Sequence, residues 1–254
     1  MSISSSREQR HGEDKVKYST LRLPDPYIEL NIMEALGDAD SVLNVGAGAG
    51  SYEPRKKTVI AVDMSLNMIR QRSAGSAPVI QASAEWLPFR DSTFDAVLAV
   101  LTLHHWEDTA SGLLEMARIA RKRVVIVTWD PASEGFWLVH KYFPEILEID
   151  RQIFPSMNVI RDILGPLSVR DLPIPADCID GFLGAYWKRP RAYLDRAIRS
   201  GMSTFSKIKT LEKGLRLLKA DLENGEWEKQ YGHLLDKDFL DTGYRILVAE
   251  TGSR

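Results

Sequence analysis

The chain has 254 residues, of which 44% are hydrophobic and 27% charged, and a formal net charge of −2. The length suits one large α/β domain, the composition is ordinary for a globular protein, and the charge gives no reason to expect nucleic acid or membrane as a partner. The single cysteine, Cys178, excludes an internal disulfide framework and a cysteine-based zinc site. The sequence has no apolar run of about 18 residues and no secretory signal, so we expect a cytoplasmic protein. We expect no bound metal, and a homodimer is possible.

The N-terminal part predicts a polar arm followed by a helix. Residues 1–17 are polar and read as a mobile arm. In "LPDPYIELNIMEAL", Asp25 is placed to cap a helix, Pro26 suits its first position, and Gly37 follows its end.

Strands and helices then alternate along the chain. The alternation predicts a doubly wound, mostly parallel, seven-stranded Rossmann-like sheet of α/β class. The predicted strands are 41–45, 58–62, 78–82, 94–100, 123–129, 168–174 and 244–249. Predicted helices are "SLNMIRQR", capped by Ser65, and "TASGLLEMARIA". We expect one domain, with a core at 18–130 and, within 131–254, the rest of the sheet and helical cap insertions near 130–165 and 175–242.

The cap insertions are rich in aromatic residues. One interpretation is a cap with its own core; the other is a substrate pocket lined by some of the rings. The rings concerned are Phe136, Trp137, Tyr142, Phe143, Phe182, Tyr186, Trp187 and Tyr193.

A glycine-rich turn follows the first predicted strand. Gly46, Gly48 and Gly50 stand in the stretch "NVGAGAGSYEP", but Ser51 occupies the position of the third glycine of a dinucleotide fingerprint. Few residues remain for a helix before the next strand, so a phosphate-binding helix N-terminus is not expected. Asp63, which ends that strand, can accept hydrogen bonds from both hydroxyls of a ribose. A ligand with ribose but no phosphate, such as S-adenosylmethionine, fits this pattern.

Four segments make the chain resemble the class I S-adenosylmethionine-dependent methyltransferases, in the branch that includes quinone-biosynthesis and related small-molecule enzymes. They are "VLNVGAGAG", "VIAVDMSLNMI", "ASAEWLPFRDSTFDAVLAVLTLHHW" and "LLEMARIARKRVVIVTWD". They cover residues 41–130, about a third of the chain. The resemblance implies S-adenosylmethionine as cofactor and methyl transfer to oxygen, nitrogen or carbon of a small molecule.

The resemblance also implies a set of cofactor-binding residues. Asn44 and Ser83 stand where the family usually has acids, which would weaken the hold on an amine. The implied set is Asn44, Gly46, Ala47, Gly48, Asp63, Met64, Met68, Ser83, Ala84, Glu85, Val100 and Leu101. Core packing is an equal alternative for the two methionines.

Candidates for catalysis and acceptor binding lie at the ends of later strands. A neutral histidine can act as a base, and of His104 and His105 we expect His105 to lie near the reacting centre and at most one of the two to face the acceptor. The alternative is that both pack or cap the next helix. Asp130 follows the fifth strand and could orient substrate or cap a helix. Tyr18 and Arg22 are lid candidates, with plain packing as the alternative.

Other functions remain in competition with a small-molecule methyltransferase. A binding protein of the same fold without catalysis would be favoured by the neutral Asn44 and Ser83. A nicotinamide-dependent dehydrogenase is disfavoured by Ser51 and by the absence of a Tyr-x-x-x-Lys pair. Between Lys188 and Lys219, ten basic residues face only two acidic ones, which suggests a solvated helical face or, less strongly, steering of an anionic substrate.

Overall fold

The computed structural model describes residues 21–252, so the predicted arm at 1–17 and Tyr18 lie outside it. Seven strands form one sheet in the order β3-β2-β1-β4-β5-β9-β6, and β7 and β8 form a separate antiparallel pair. Only β9 runs against its neighbours β5 and β6, so the predicted mostly parallel sheet is confirmed. The strands are β1 (Ser41–Val45), β2 (Thr58–Asp63), β3 (Val79–Gln81), β4 (Phe94–Val100), β5 (Ala120–Trp129), β6 (Leu167–Asp171), β7 (Ile174–Pro175), β8 (Phe239–Leu240) and β9 (Tyr244–Glu250).

Helices cover the sheet and build the cap. The α-helices of the described region are α1 (Pro26–Leu36), α2 (Leu66–Ile69), α3 (Thr109–Ile119), α4 (Pro144–Ile153), α5 (Met157–Leu164), α6 (Arg196–Arg199), α7 (Leu211–Glu223) and α8 (Glu226–Tyr231). One π-helical turn, Leu138–Tyr142, and several short 3-10 turns complete the cap. None of the helices within 21–252 is both long and apolar enough to cross a membrane.

The first helix begins and ends where its sequence predicts. The Asp25 side chain accepts hydrogen bonds from the backbone N–H groups of Tyr27 and Ile28, which satisfies donors that have no partner inside the helix. Gly37 ends the helix with a φ of 54°, a conformation that favours glycine. The helix buries Ile28 and Ile32 in the core under the sheet.

The core explains most of the aromatic residues of the cap. Seven of the eight rings are buried, and Tyr186 is half-buried. They pack in one cluster with the face of the sheet that carries Val125 and Val127. The cap therefore has its own core, and only Phe182 among the eight also lines a cavity next to the sheet.

Several elements differ from the predicted bounds. The strand predicted at 168–174 ends at Asp171, and Ile174 pairs with Leu240 in the separate β7–β8 sheet. Strand β5 begins at Ala120 rather than 123, because α3 leads into it without a loop and Ala120 pairs with Phe94.

Helix α2 is shorter than predicted and stops at Ile69. Just after the helix, the Arg72 guanidinium turns toward the glycine turn and donates to the carbonyl of Gly48.

Candidate functional site

The glycine turn lies at the carboxyl end of β1, the edge where open α/β sheets bind ligands. Gly46 and Gly48 have φ values of 68° and 54°, which favour glycine. A Cβ on Gly46 would lie 2.1 Å from Oγ1 of Thr102, whereas a Cβ on Gly48 would meet no atom within 4 Å. The backbone at Gly48 therefore borders open space that a ligand can occupy.

No helix follows this turn, and a buried ion pair holds it in place instead. Arg72 pairs with Glu53, and their side chains are only 5% and 9% exposed. Arg72 also donates to the carbonyl of Gly48 at 3.3 Å, and Glu53 accepts from the N–H of Ala77 at 2.7 Å. The turn is thus held against the connection between β2 and β3, and residues 46–57 contain no helix whose N-terminus could receive phosphate.

Asp63 ends β2 beside the glycine turn, as the sequence predicts. Its Oδ2 accepts from the N–H of Gly48 at 2.7 Å, and its Oδ1 accepts from the N–H of Ser65 at 2.8 Å. A carboxylate oxygen can accept more than one hydrogen bond. Asp63 can therefore hold the turn and still accept from two further hydroxyls.

A cavity of about 580 Å³ opens along this edge. All twelve residues of the implied cofactor set line it, and so do Arg22, Thr102, His105 and Trp106. The structure thus brings together residues from the ends of β1, β2 and β4 and from the segment after β3.

Asn44 carries a buried polar atom with no partner. The side chain is 1% exposed, and its Nδ2 finds no hydrogen-bond acceptor in the described part of the chain. A buried donor without a partner costs about 1–3 kcal/mol. Because rotation of the amide exchanges its nitrogen and oxygen, Asn44 can meet either a donor or an acceptor of a bound ligand.

The segments after β2 and β3 form another wall of the first cavity. Met64 is 59% exposed and Met68 is half-buried, so core packing does not explain Met64. Ser83 donates to the Glu85 carboxylate, which also accepts from the N–H groups of Glu107 and Asp108. Glu85 therefore ties this wall to the segment after β4.

The segment after β4 separates the first cavity from a second one. Leu101 has a φ of 50°, an uncommon conformation for a residue with a side chain. The 3-10 turn Leu103–His105 follows. Leu101 and His105 line both cavities, whereas His104 lines only the second. Both histidines thus line the second cavity, and their rings are tilted by 45° with centroids 3.9 Å apart.

The second cavity, of about 340 Å³, lies between the sheet and the cap. It shares Arg22, Met68, Leu101 and His105 with the first cavity, so the two adjoin. Its walls are mostly aromatic and apolar, with a few polar groups. Its other members include His104, Trp129, Asp150, Phe154, Phe182, Leu183, Met202, Ser203, Thr204 and Tyr244.

Burial sets the charges of the ionisable groups in the second cavity. It lowers the pKa of His104 to about 3, helped by His105, Lys207 and Arg22. It also lowers the pKa of His105, with Lys207 and Arg22 adding to the effect and Asp63 opposing it. Both rings are therefore mostly neutral at pH 7. Burial raises the pKa of Asp150 to about 7, although Lys207 opposes this shift.

Two other predicted residues have clear structural contacts. The Arg22 guanidinium pairs with the buried Asp180 carboxylate at 2.5 Å while lining both cavities, so it packs and also borders the site. Asp130 lines neither cavity, and its carboxylate accepts from the N–H of Ala132. Tyr18 lies outside the described residues. No group of three or more His, Cys, Asp or Glu within 21–252 is placed to hold a metal ion.

Sequence reasoning missed several residues of the site. Thr102, which packs beneath Gly46, and the Arg72–Glu53 pair carry no pattern that marks them. Asp150 does carry a signal, because in "ILEIDRQIF" it falls on the apolar face of a helix, three residues after Leu147 and four before Phe154. A carboxylate on such a face is unusual.

The fold matches that of known methyltransferases. A family model described as a methyltransferase domain matches residues 43–128. A crystal structure from Anabaena variabilis, assigned as a methyltransferase from an antibiotic biosynthesis pathway, is 31% identical with a TM-score of 0.81, covering 91% of this chain and 99% of its own. The chain belongs to the class I S-adenosylmethionine-dependent methyltransferases, whose cofactor is S-adenosylmethionine.

Curated relatives point to the same family. A demethylmenaquinone methyltransferase of Mycolicibacterium paratuberculosis is 31% identical over 161 residues, which are 60% of this chain and 69% of that protein. Another, from Corynebacterium urealyticum, is 36% identical over 115 residues, and that match spans half of the relative's length.

Proposed function

We propose that this protein binds S-adenosylmethionine in the first cavity and transfers its methyl group to a small-molecule acceptor in the second. The observation that carries the proposal is that the two cavities adjoin at Leu101 and His105, on the edge formed by the ends of β1, β2 and β4. A cytoplasmic location and a small-molecule acceptor rather than nucleic acid are parts of the same proposal.

The residues of the first cavity fit the cofactor. Asn44 offers a buried amide without a partner to its methionine end. Gly46, Ala47 and Gly48 let it approach the backbone, and Asp63 accepts from the ribose hydroxyls. The adenine would lie among Met64, Met68, Ser83, Ala84 and Glu85, with Val100 and Leu101 on the side of the acceptor.

The chain's own contribution to the reaction is alignment and the exclusion of water. S-adenosylmethionine, when bound, supplies an activated methyl group with a good leaving group. Leu101 and the apolar walls of the second cavity keep water away from an acceptor and fix its orientation. The neutral His105 ring, which borders both cavities, can take a proton from the acceptor.

The alternative function is a binding protein of the same fold without catalysis. The neutral Asn44 and Ser83 support it, since both hold an amine less strongly than a carboxylate does. The adjoining second cavity favours the enzyme, because a protein that only binds the cofactor has no use for it. Two relatives carry the name demethylmenaquinone methyltransferase, and a ring-shaped acceptor would suit the aromatic walls.

The experiment is calorimetric titration of S-adenosylmethionine and S-adenosylhomocysteine into the wild type, Asp63→Ala and Asp63→Asn. We expect Asp63→Ala to weaken binding about a hundredfold, since hydrogen bonds to a charged group contribute about 1.5–3 kcal/mol each. Asp63→Asn keeps an oxygen that can accept from Gly48 and should lose less.

Asp162→Ala, on the exposed surface of α5, is the matched control and should bind like the wild type. If folded Asp63→Ala bound both ligands as tightly as the wild type, the assignment of the first cavity would be wrong. Formation of S-adenosylhomocysteine with any small acceptor would exclude the non-catalytic alternative.

A further inference from the structure

Asp150 is a buried carboxylate on the wall of the second cavity. It lies on the inner face of α4 beside Ile146 and Leu147, and it is 1% exposed. Its Oδ1 finds no hydrogen-bond donor within residues 21–252. Because a buried polar atom without a partner destabilises the fold, this position points to a donor supplied from outside the chain.

The cavity around Asp150 is shaped by flat rings. His104 lies between His105 and Phe154, with ring centroids 3.9 and 4.3 Å away. Trp129 meets the Phe154 ring edge-on at 5.7 Å. Aromatic walls of this kind favour an aromatic ligand, because rings gain both apolar burial and ring contacts.

The charges near Asp150 favour a neutral donor. Lys207 is close enough to act on Asp150 electrostatically, and Arg22, paired with Asp180, borders the same cavity. The other titratable groups facing the cavity are the two neutral histidines and Tyr244. With cationic neighbours, an ammonium ligand would be repelled, whereas a hydroxyl group would not.

We propose that Asp150, rather than His105, recognises the methyl acceptor by accepting a hydrogen bond, and then the proton, from a hydroxyl group on an aromatic ring held in the second cavity. This inference rests on the proposed function for the cofactor cavity, but it assigns a residue and a substrate class to the other cavity.

The proton transfer balances without any further reactant. The hydroxyl O–H bond breaks, the proton goes to a carboxylate oxygen of Asp150, and the electron pair stays on the acceptor oxygen, which becomes the nucleophile. A carboxyl group whose pKa burial has raised to about 7 can take and release this proton near neutral pH.

The test uses 4-hydroxyacetophenone and its methyl ether, 4-methoxyacetophenone, as probes in equilibrium dialysis, at a pH above the raised pKa of Asp150 and below the pKa of the phenol, with and without S-adenosylhomocysteine. The wild type should prefer the phenol about tenfold or more, since a hydrogen bond to a charged group is worth that much. Asp150→Leu should lose the preference, and Asp150→Asn, which keeps an acceptor oxygen, should keep part of it. Glu148→Gln, an exposed position on the same helix, is the control and should behave like the wild type.

A second readout tests the proton. At that same pH, where Asp150 is ionised and the free phenol is protonated, the bound phenol should show more phenolate absorbance in the wild type than in Asp150→Asn. An equal preference for the phenol in Asp150→Leu and wild type would overturn the recognition role, and no phenolate absorbance in the wild type would overturn the proton-accepting role.

Separate titrations with S-adenosylhomocysteine distinguish this inference from the proposed function. The Asp150 variants should bind it as the wild type does, which also shows that they are folded. If the phenol preference depended on Asp150 while no cofactor bound, the Asp150 site would stand and the proposed function would fall.

Discussion

At the scale of single residues, the site is marked by polar atoms whose hydrogen bonds are incomplete. Nδ2 of Asn44 and Oδ1 of Asp150 are both buried without a partner in the described region, and each borders a different cavity. An apolar side chain at either place would make the fold more stable. In the proposed function, the cofactor and the acceptor complete these hydrogen bonds.

The raised pKa of Asp150 predicts how stability depends on pH. The pKa rises from 3.8 to about 7 in the folded protein through burial. Between these values the folded state holds a proton that the unfolded state has released, so stability falls as pH rises and levels off above about 7. Asp150→Asn lacks this effect, so its stability relative to wild type should increase by up to about 4 kcal/mol from pH 4 to pH 8.

Urea unfolding at several pH values measures this difference. Asp221→Asn is a control in which the pH dependence of stability should run in the opposite direction, because hydrogen bonds from Lys141 and Tyr142 lower the pKa of Asp221. That carboxylate stabilises the fold above its unfolded pKa, and its contribution is lost as pH falls through its folded pKa. Wild-type and Asp150→Asn stabilities that stayed parallel across the range would contradict a raised pKa at Asp150.

At the scale of elements, the connection between β1 and β2 bears on which ligand the proposed site can accept. It holds no helix, and the Arg72–Glu53 pair supports the glycine turn in its place. A helix N-terminus would favour phosphate. A short connection held by an ion pair instead leaves room for a ligand whose only anionic group is a carboxylate.

Removing one partner of this ion pair should destabilise both the fold and the turn. We expect Glu53→Gln to lower the free energy of unfolding by about 3–5 kcal/mol, because it leaves the Arg72 charge buried without a counter-charge. Affinity for S-adenosylhomocysteine should fall as well, since Arg72 also holds the carbonyl of Gly48.

Urea unfolding and calorimetric titration check the two effects. Glu223→Gln removes one partner of the exposed Lys219–Glu223 pair and should cost less than about 1 kcal/mol. Similar losses in the two variants would show that the buried pair does not support the turn.

At the scale of the whole molecule, one buried network joins the sheet to the cap. The hydroxyl of Tyr52, just after the glycine turn, donates to Asp180 at 2.8 Å and accepts from the N–H of Asp25 at 3.3 Å. Asp180 also pairs with Arg22, and Asp25 accepts from the N–H of Ile179. The network therefore connects the cap of α1, the glycine turn and the start of the 175–242 insertion.

Tyr52→Phe tests how far this network supports the assembly. It removes the hydroxyl that donates to the Asp180 carboxylate and accepts from the N–H of Asp25. We expect the free energy of unfolding to fall by about 1–3 kcal/mol. Binding of S-adenosylhomocysteine should weaken, because the turn beside Tyr52 loses its anchor to the cap. Tyr27→Phe is the control, since the Tyr27 ring packs on Phe239 and its hydroxyl bonds to no described residue. Equal stability of both variants would rule the network out as a support.

The sequence alone determined the sheet, its mostly parallel character, and which residues at the ends of β1, β2 and β4 line the first cavity. Those predictions depend on local patterns, since buried β-branched runs make strands and the residues directly after parallel strands meet at one edge. The acceptor side could not be predicted in this way. Asp150 and Phe154 lie some fifty residues from His104 along the chain, and only the folding of the cap against the sheet brings them to one cavity. Which carboxylate is buried there, and which polar atoms lack partners, depends on contacts between distant segments, so only the tertiary structure decided it.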